Sequence, residues 1–129
     1  SKYRTQGVSI KLPAVMQVIR RYNNDMELMM RSCEALILRM CIKSNGDYSP
    51  CPIMSSLGVL VGNCREMAPK KMIDSKQARD IVEFEKKECK SECEYYKYCG
   101  GGCLANSLNY QNDYEAKDVW CFKEYRKYL

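Results

Sequence analysis

Residues 89 to 103 read CKSECEYYKYCGGGC: four cysteines within fifteen residues, the last of them preceded by three consecutive glycines. Thiols at this density invite bridging or ligation, and whatever they bind sets the course of the backbone around them. The rest of the chain sharpens the question. Nine cysteines stand at positions 33, 41, 51, 64, 89, 93, 99, 103 and 121 of 129 residues, and there is no histidine. A metal site in this protein is therefore built mainly from sulfur.

Three chemistries compete for such an array. Structural zinc takes four tetrahedral ligands, usually from paired C-x2-C knuckles, and no C-x2-C occurs in the chain. Disulfides need an oxidising setting and favour an even count. The opening SKYRTQGVSIKLPAV shows no apolar core followed by a small-residue cleavage site. No apolar run reaches membrane-spanning length. A cytoplasmic, reducing setting is the expectation. An iron–sulfur cluster is the third reading, and the spacing favours it. A cluster is wider than one ion and accepts longer, more varied gaps between ligands, and backbone N–H groups bond to its sulfurs and tune its potential. Gly100, Gly101 and Gly102 suit that task, since a backbone without Cβ can close on the cluster and take positive φ.

The elements around the thiols read as a small, irregular α+β domain. Pro13 is placed to open a helix whose Val15, Val18, Ile19 and Tyr22 share one face, and DMELMMRS reads as a second helical piece. Leu38, Met40 and Ile42 alternate with Arg39, Cys41 and Lys43. Asn45-Gly46 then predicts a two-residue hairpin turn, with Ser44 facing Asp47 and Met40 facing Cys51. Pro50 marks the return strand as an edge. This hairpin gathers Cys33, Cys41 and Cys51. Residues 57–73 read as irregular chain with glycine turns. Asp74 with Gln77 suggests a capping box and a helix over about 75–87, with Ala78, Ile81 and Val82 inward. Asp118 is expected to cap a last helix carrying Val119, Phe122 and Tyr125 on one face and Cys121 in its first turn.

With this order of residues the chain resembles the SPASM domain, the C-terminal extension of many radical S-adenosylmethionine enzymes. Cys33, twelve residues, Gly46-x4-Cys51, 37 residues, Cys89-x3-Cys93-x5-Cys99-x3-Cys103 and Cys121 follow that family's pattern, with x3 where the family has x2 in the first close pair. VGN at 61–63 and Asp118-x2-Cys121 also look like family features. The resemblance implies two auxiliary 4Fe–4S clusters, with iron or zinc as replacements after oxidation. The first would use Cys33, Cys51 and Cys103, with Cys41 as a candidate fourth, and the second Cys89, Cys93, Cys99 and Cys121. Cys64 is left over as a free or buried thiol. The division implied is a lead-in at 1–32 from a radical S-adenosylmethionine barrel, followed by the cluster domain at 33–129.

The resemblance implies an auxiliary module for electron transfer and substrate docking, with the barrel and a peptide or protein substrate as partners. The chain lacks the C-x3-C-x2-C motif of radical chemistry, since position 96 is Tyr96, and it is not expected to be catalytic alone. It reads as an excised domain. The net charge of +5 does not point to nucleic acid, because acidic residues interleave with the basic ones across EFEKKECKSECE. Two four-thiolate clusters would also add roughly −2 apiece. A zinc-stabilised adaptor, colourless and holding tetrahedral metal, and a free-standing ferredoxin-like carrier are the competing functions. Tyr95, Tyr96 and Tyr98 are read as apolar shielding rather than as an electron path.

Overall fold

A computed structural model describes residues 14–25 and 33–126, leaving aside the side chains of residues 14–17 and 125. Helix α1 spans Ala14–Asn23, with Arg20 and Arg21 in its last turn, where cations complement the helix dipole. Val18 is buried, and Ile19 and Tyr22 pack beside it, on the face that the periodicity predicts. Pro13, the side chain of Val15 and, apart from Asp25, the second helical piece lie outside the described residues.

Three short antiparallel strands follow in the order β1-β2-β3: β1 at Cys41–Ile42, β2 at Asp47–Ser49 and β3 at Gly62–Asn63. The hairpin forms, but its register differs by one residue from the expected one. Cys41 pairs with Ser49 and Ile42 with Tyr48. The Lys43 N–H donates to the Asp47 carbonyl (2.9 Å) and the Gly46 N–H to the Lys43 carbonyl (2.9 Å). The loop is thus three residues, with Gly46 at φ +92°. That positive φ makes the third loop residue a glycine bulge in place of a two-residue turn. Upstream, the alternation does not extend the strand. The Glu34 carbonyl accepts from Ile37, Leu38 and Arg39, and the Leu36 N–H donates to Arg39. This turn buries Leu36 and leaves Leu38 exposed.

β2 is central rather than an edge, because β3 pairs with its other side through Asp47 opposite Asn63 and Tyr48 opposite Gly62. Pro50 lies past the last paired residue, so its missing N–H removes no ladder bond. Residues 57–73, expected to be irregular, supply both β3 and helix α3.

Seven further helices are described: α2 (Pro52–Ser56), α3 (Pro69–Ile73), α4 (Lys76–Val82), α5 (Lys87–Glu92), α6 (Tyr96–Cys99), α7 (Leu104–Gln111) and α8 (Phe122–Tyr125). Pro52 and Pro69 open α2 and α3, where the absent N–H is no loss. Ser75, not Asp74, caps α4, its hydroxyl accepting from the Ala78 N–H (3.2 Å). The segment expected as one helix over 75–87 breaks after Val82, and Lys86 stands as the N-cap of α5. Ala78 is fully buried, with Ile81 and Val82 packed against the same core.

The apolar core comes in three pieces. Leu36, Tyr48, Val61, Met72 and Ala78 lie around the sheet, with α3 and α4. Val18, Tyr95, Tyr98 and Phe122 join α1, α6 and α8. Met54, Leu104 and Ala105 join α2 and α7. Among the described residues no helix is long and apolar enough to cross a membrane.

Candidate metal centre

The short helices put cysteines at their ends. Cys51 is the N-cap of α2, Cys103 of α7 and Cys121 of α8. Cys89 lies in α5, Cys93 closes it, and Cys99 is the last residue of α6. Cys33 enters the turn before β1. These seven thiols, drawn from both halves of the chain, line one cavity of about 480 Å³. The first residues of α2 and α7 turn backbone donors toward sulfur. The Met54 N–H reaches the Cys51 sulfur (3.4 Å), and the Ala105 and Asn106 N–H groups lie on the side of Cys103 where they favour its thiolate. The Gly101 N–H does the same for Cys99.

The glycine run makes this approach possible. Gly100, Gly101 and Gly102 all have positive φ (61°, 83° and 77°), and the last two line the cavity. A Cβ on Gly102 would stand 2.7 Å from the Asp118 side chain.

Burial pushes the Cys89, Cys99 and Cys103 thiols up, and at Cys99 and Cys103 the backbone donors pull partly back. A cation that drives deprotonation is what such sites need to become thiolates. Arg21, Arg39, Lys117 and Lys123 also border the cavity and would offset the charge of a thiolate-held group. Arg39 is ion-paired with Glu34.

The thiols ring a space rather than converge on a point. Among the described residues no three Cys, Asp or Glu side chains stand close enough to hold one metal ion. The donor set therefore fits a cofactor with breadth of its own better than a mononuclear zinc. Cys41, on β1, does not line the cavity, nor does Gly100. Cys64 is exposed, with its sulfur beside Gly46.

Two charged residues have roles that sequence patterns do not reveal. Asp118 does not cap the last helix, because Cys121 holds that position. Its buried carboxylate accepts from the N–H of Cys103 (2.6 Å), the side chain of Asn106 (3.1 Å) and the N–H of Trp120 (3.0 Å). Lys86 is 2% exposed, and its ammonium donates to the Ser107 hydroxyl (2.5 Å) and the Ala116 carbonyl (2.6 Å). Lys86 sits in the mixed-charge stretch EFEKKECKSECE, whereas the sequence suggests a helix cap for Asp118. Only the spacing of Asp118 from Cys121 gives a hint.

A family model for the SPASM iron–sulfur cluster-binding domain matches residues 33–103, from the first of the cavity cysteines through the glycine run. No curated protein and no solved structure matches the chain. The match spans more than half of the 129 residues and begins and ends on cysteines that the fold brings to one cavity, so the chain belongs to the SPASM family of iron–sulfur cluster-binding domains.

Proposed function

We propose that this chain is the auxiliary-cluster domain of a radical S-adenosylmethionine enzyme that modifies a peptide or protein, working in a reducing cytoplasm. The observation that carries the reading is the single cavity ringed by seven thiols from both halves of the chain. In this reading Cys33, Cys51 and Cys103 hold one 4Fe–4S cluster, and Cys89, Cys93, Cys99 and Cys121 hold a second. Cys41 lies off the cavity lining, which supports a three-thiolate set for the first site. When bound, such clusters accept and pass single electrons at potentials set by charge, hydrogen bonding and exposure.

The chain's own residues prepare that role. The Met54 N–H donates to the Cys51 sulfur, and the N–H groups of Gly101, Ala105 and Asn106 favour the thiolates of Cys99 and Cys103. Tyr95, Tyr98 and Phe122 shield the side of Cys93 and Cys99 from water. Arg21, Arg39 and Lys117 at the cavity border suit the docking of a substrate with acidic or carbonyl groups.

The test is iron and acid-labile sulfide per chain after anaerobic purification, read beside the visible spectrum. Two 4Fe–4S clusters give about eight of each and a brown protein. A pale protein holding about two zinc ions would instead establish the adaptor reading. Cys99→Ala should lose half of the iron, whereas Cys64→Ala should keep all of it. Full iron in the first variant would refute the ligand assignment.

A further inference from the structure

Among the described residues, Lys86 and Asp118 are the buried charged side chains, and both converge on Cys103. The Lys86 stem runs beside the glycine wall of the cavity: a Cβ on Gly101 would lie 3.5 Å from its Cδ. Its ammonium donates to the Ser107 hydroxyl, which in turn donates to the Cys103 carbonyl (3.2 Å). On the other side of the same residue, the Cys103 N–H donates to Asp118 (2.6 Å). The two peptide groups flanking one cavity thiol are thus tied to buried charges of opposite sign.

The bonds of Lys86 are made to neutral acceptors, a hydroxyl and a carbonyl, while the Asp118 carboxylate is occupied by two backbone donors and an amide. Among the described residues the ammonium therefore has no contact ion pair. Its charge acts through the low-dielectric glycine wall on the thiols of Cys89, Cys103 and Cys121, which contribute to both ligand sets.

We infer that Lys86 is an electrostatic positioning residue that raises the reduction potential of the iron–sulfur site behind Gly101, with Asp118 as its opposing partner. The inference rests on the iron–sulfur reading above. Reduction adds one electron and one negative charge to the thiolate-held group, and a fixed buried cation nearby favours that state, while a fixed anion disfavours it.

The experiment is a potentiometric titration of the anaerobic, iron-loaded chain with dithionite and mediators, monitored by visible and electron paramagnetic resonance spectra, alongside iron and sulfide analysis. Lys86→Met keeps the stem and removes the charge. It should lower the reduced-to-oxidised ratio at fixed potential about tenfold, or ~59 mV for a one-electron couple. Lys86→Arg should restore most of the shift. Asp118→Asn should move the potential the opposite way. A merely structural role predicts loss of iron without opposed shifts. Loaded variants with unchanged potentials, or both moving in the same direction, overturn the inference. If Lys86→Met does not load, the sign of the Asp118→Asn shift decides. A wild-type chain that binds no iron and sulfide fails the iron–sulfur reading itself, and the inference falls with it.

Discussion

Gly58 and Gly102 have nearly the same backbone, with φ of +76° and +77°, but different neighbours. A Cβ on Gly58 meets nothing within 4 Å, whereas one on Gly102 would press to 2.7 Å from both Cβ and Oδ2 of Asp118. Gly58→Ala therefore costs only the left-handed backbone, about 1 kcal/mol. Gly102→Ala adds a steric term and should cost about 3 kcal/mol. It should also push the carboxylate off the Cys103 N–H and lower iron content. Thermal unfolding of the two variants, with iron analysis, checks this, and equal losses would show that the contact with Asp118 carries no energy.

At the level of elements, α1 is fastened by aromatic packing. Tyr22 lies 5.4 Å from Tyr95, 5.4 Å from Tyr98 and 5.5 Å from Phe122, centroid to centroid. Arg21 donates to the Tyr98 carbonyl, and the Tyr98 hydroxyl donates to Asp25 (2.6 Å). Neither α1 nor α8 lies within the family-matched span, yet together they close the side of the cavity where Val18 and Phe122 stand. Each edge-to-face pair contributes about 0.5–1.5 kcal/mol beyond burial, so Tyr22→Ala should cost roughly 2–4 kcal/mol. Urea unfolding of the loaded protein reads this as a lower midpoint. An unchanged midpoint would mean that α1 is not part of the cooperative unit.

For the whole molecule, the apolar core of the described residues is split into three small clusters, two of them sharing Ile81, beside one thiol-lined cavity. Ligation that links Cys33 and Cys51 to Cys103, and α5 to Cys121, would join these clusters and so become folding free energy. Stripping the iron anaerobically with a chelator and an oxidant, followed by removal of both and re-reduction of the thiols, should expand the chain and speed its proteolysis. Small-angle scattering before and after removal is the measurement, and an unchanged radius would place the folding energy in the apolar clusters alone.

The order of Cys33, Gly46, Cys51, Cys89, Cys93, Cys99, Cys103 and Cys121 determined the family and the chemistry, because thiolate ligation depends on residue type and on gaps that a wide cofactor tolerates. The inward face of α1, the hairpin and the burial of Ala78 were also legible, since each follows from local periodicity or turn chemistry. Tertiary structure decided the rest. One extra loop residue at Gly46 reset the hairpin register, and with a side-chain period of two a shift of one residue changes which face a strand residue presents. β3 is only two residues long, too short to show alternation, and it exists because Tyr48 offers it a paired edge. The burial of Lys86 and Asp118 depends on partners 21 and 15 residues away, Ser107 and the Cys103 N–H. A charged residue declares such a partner only when the chain has folded around it.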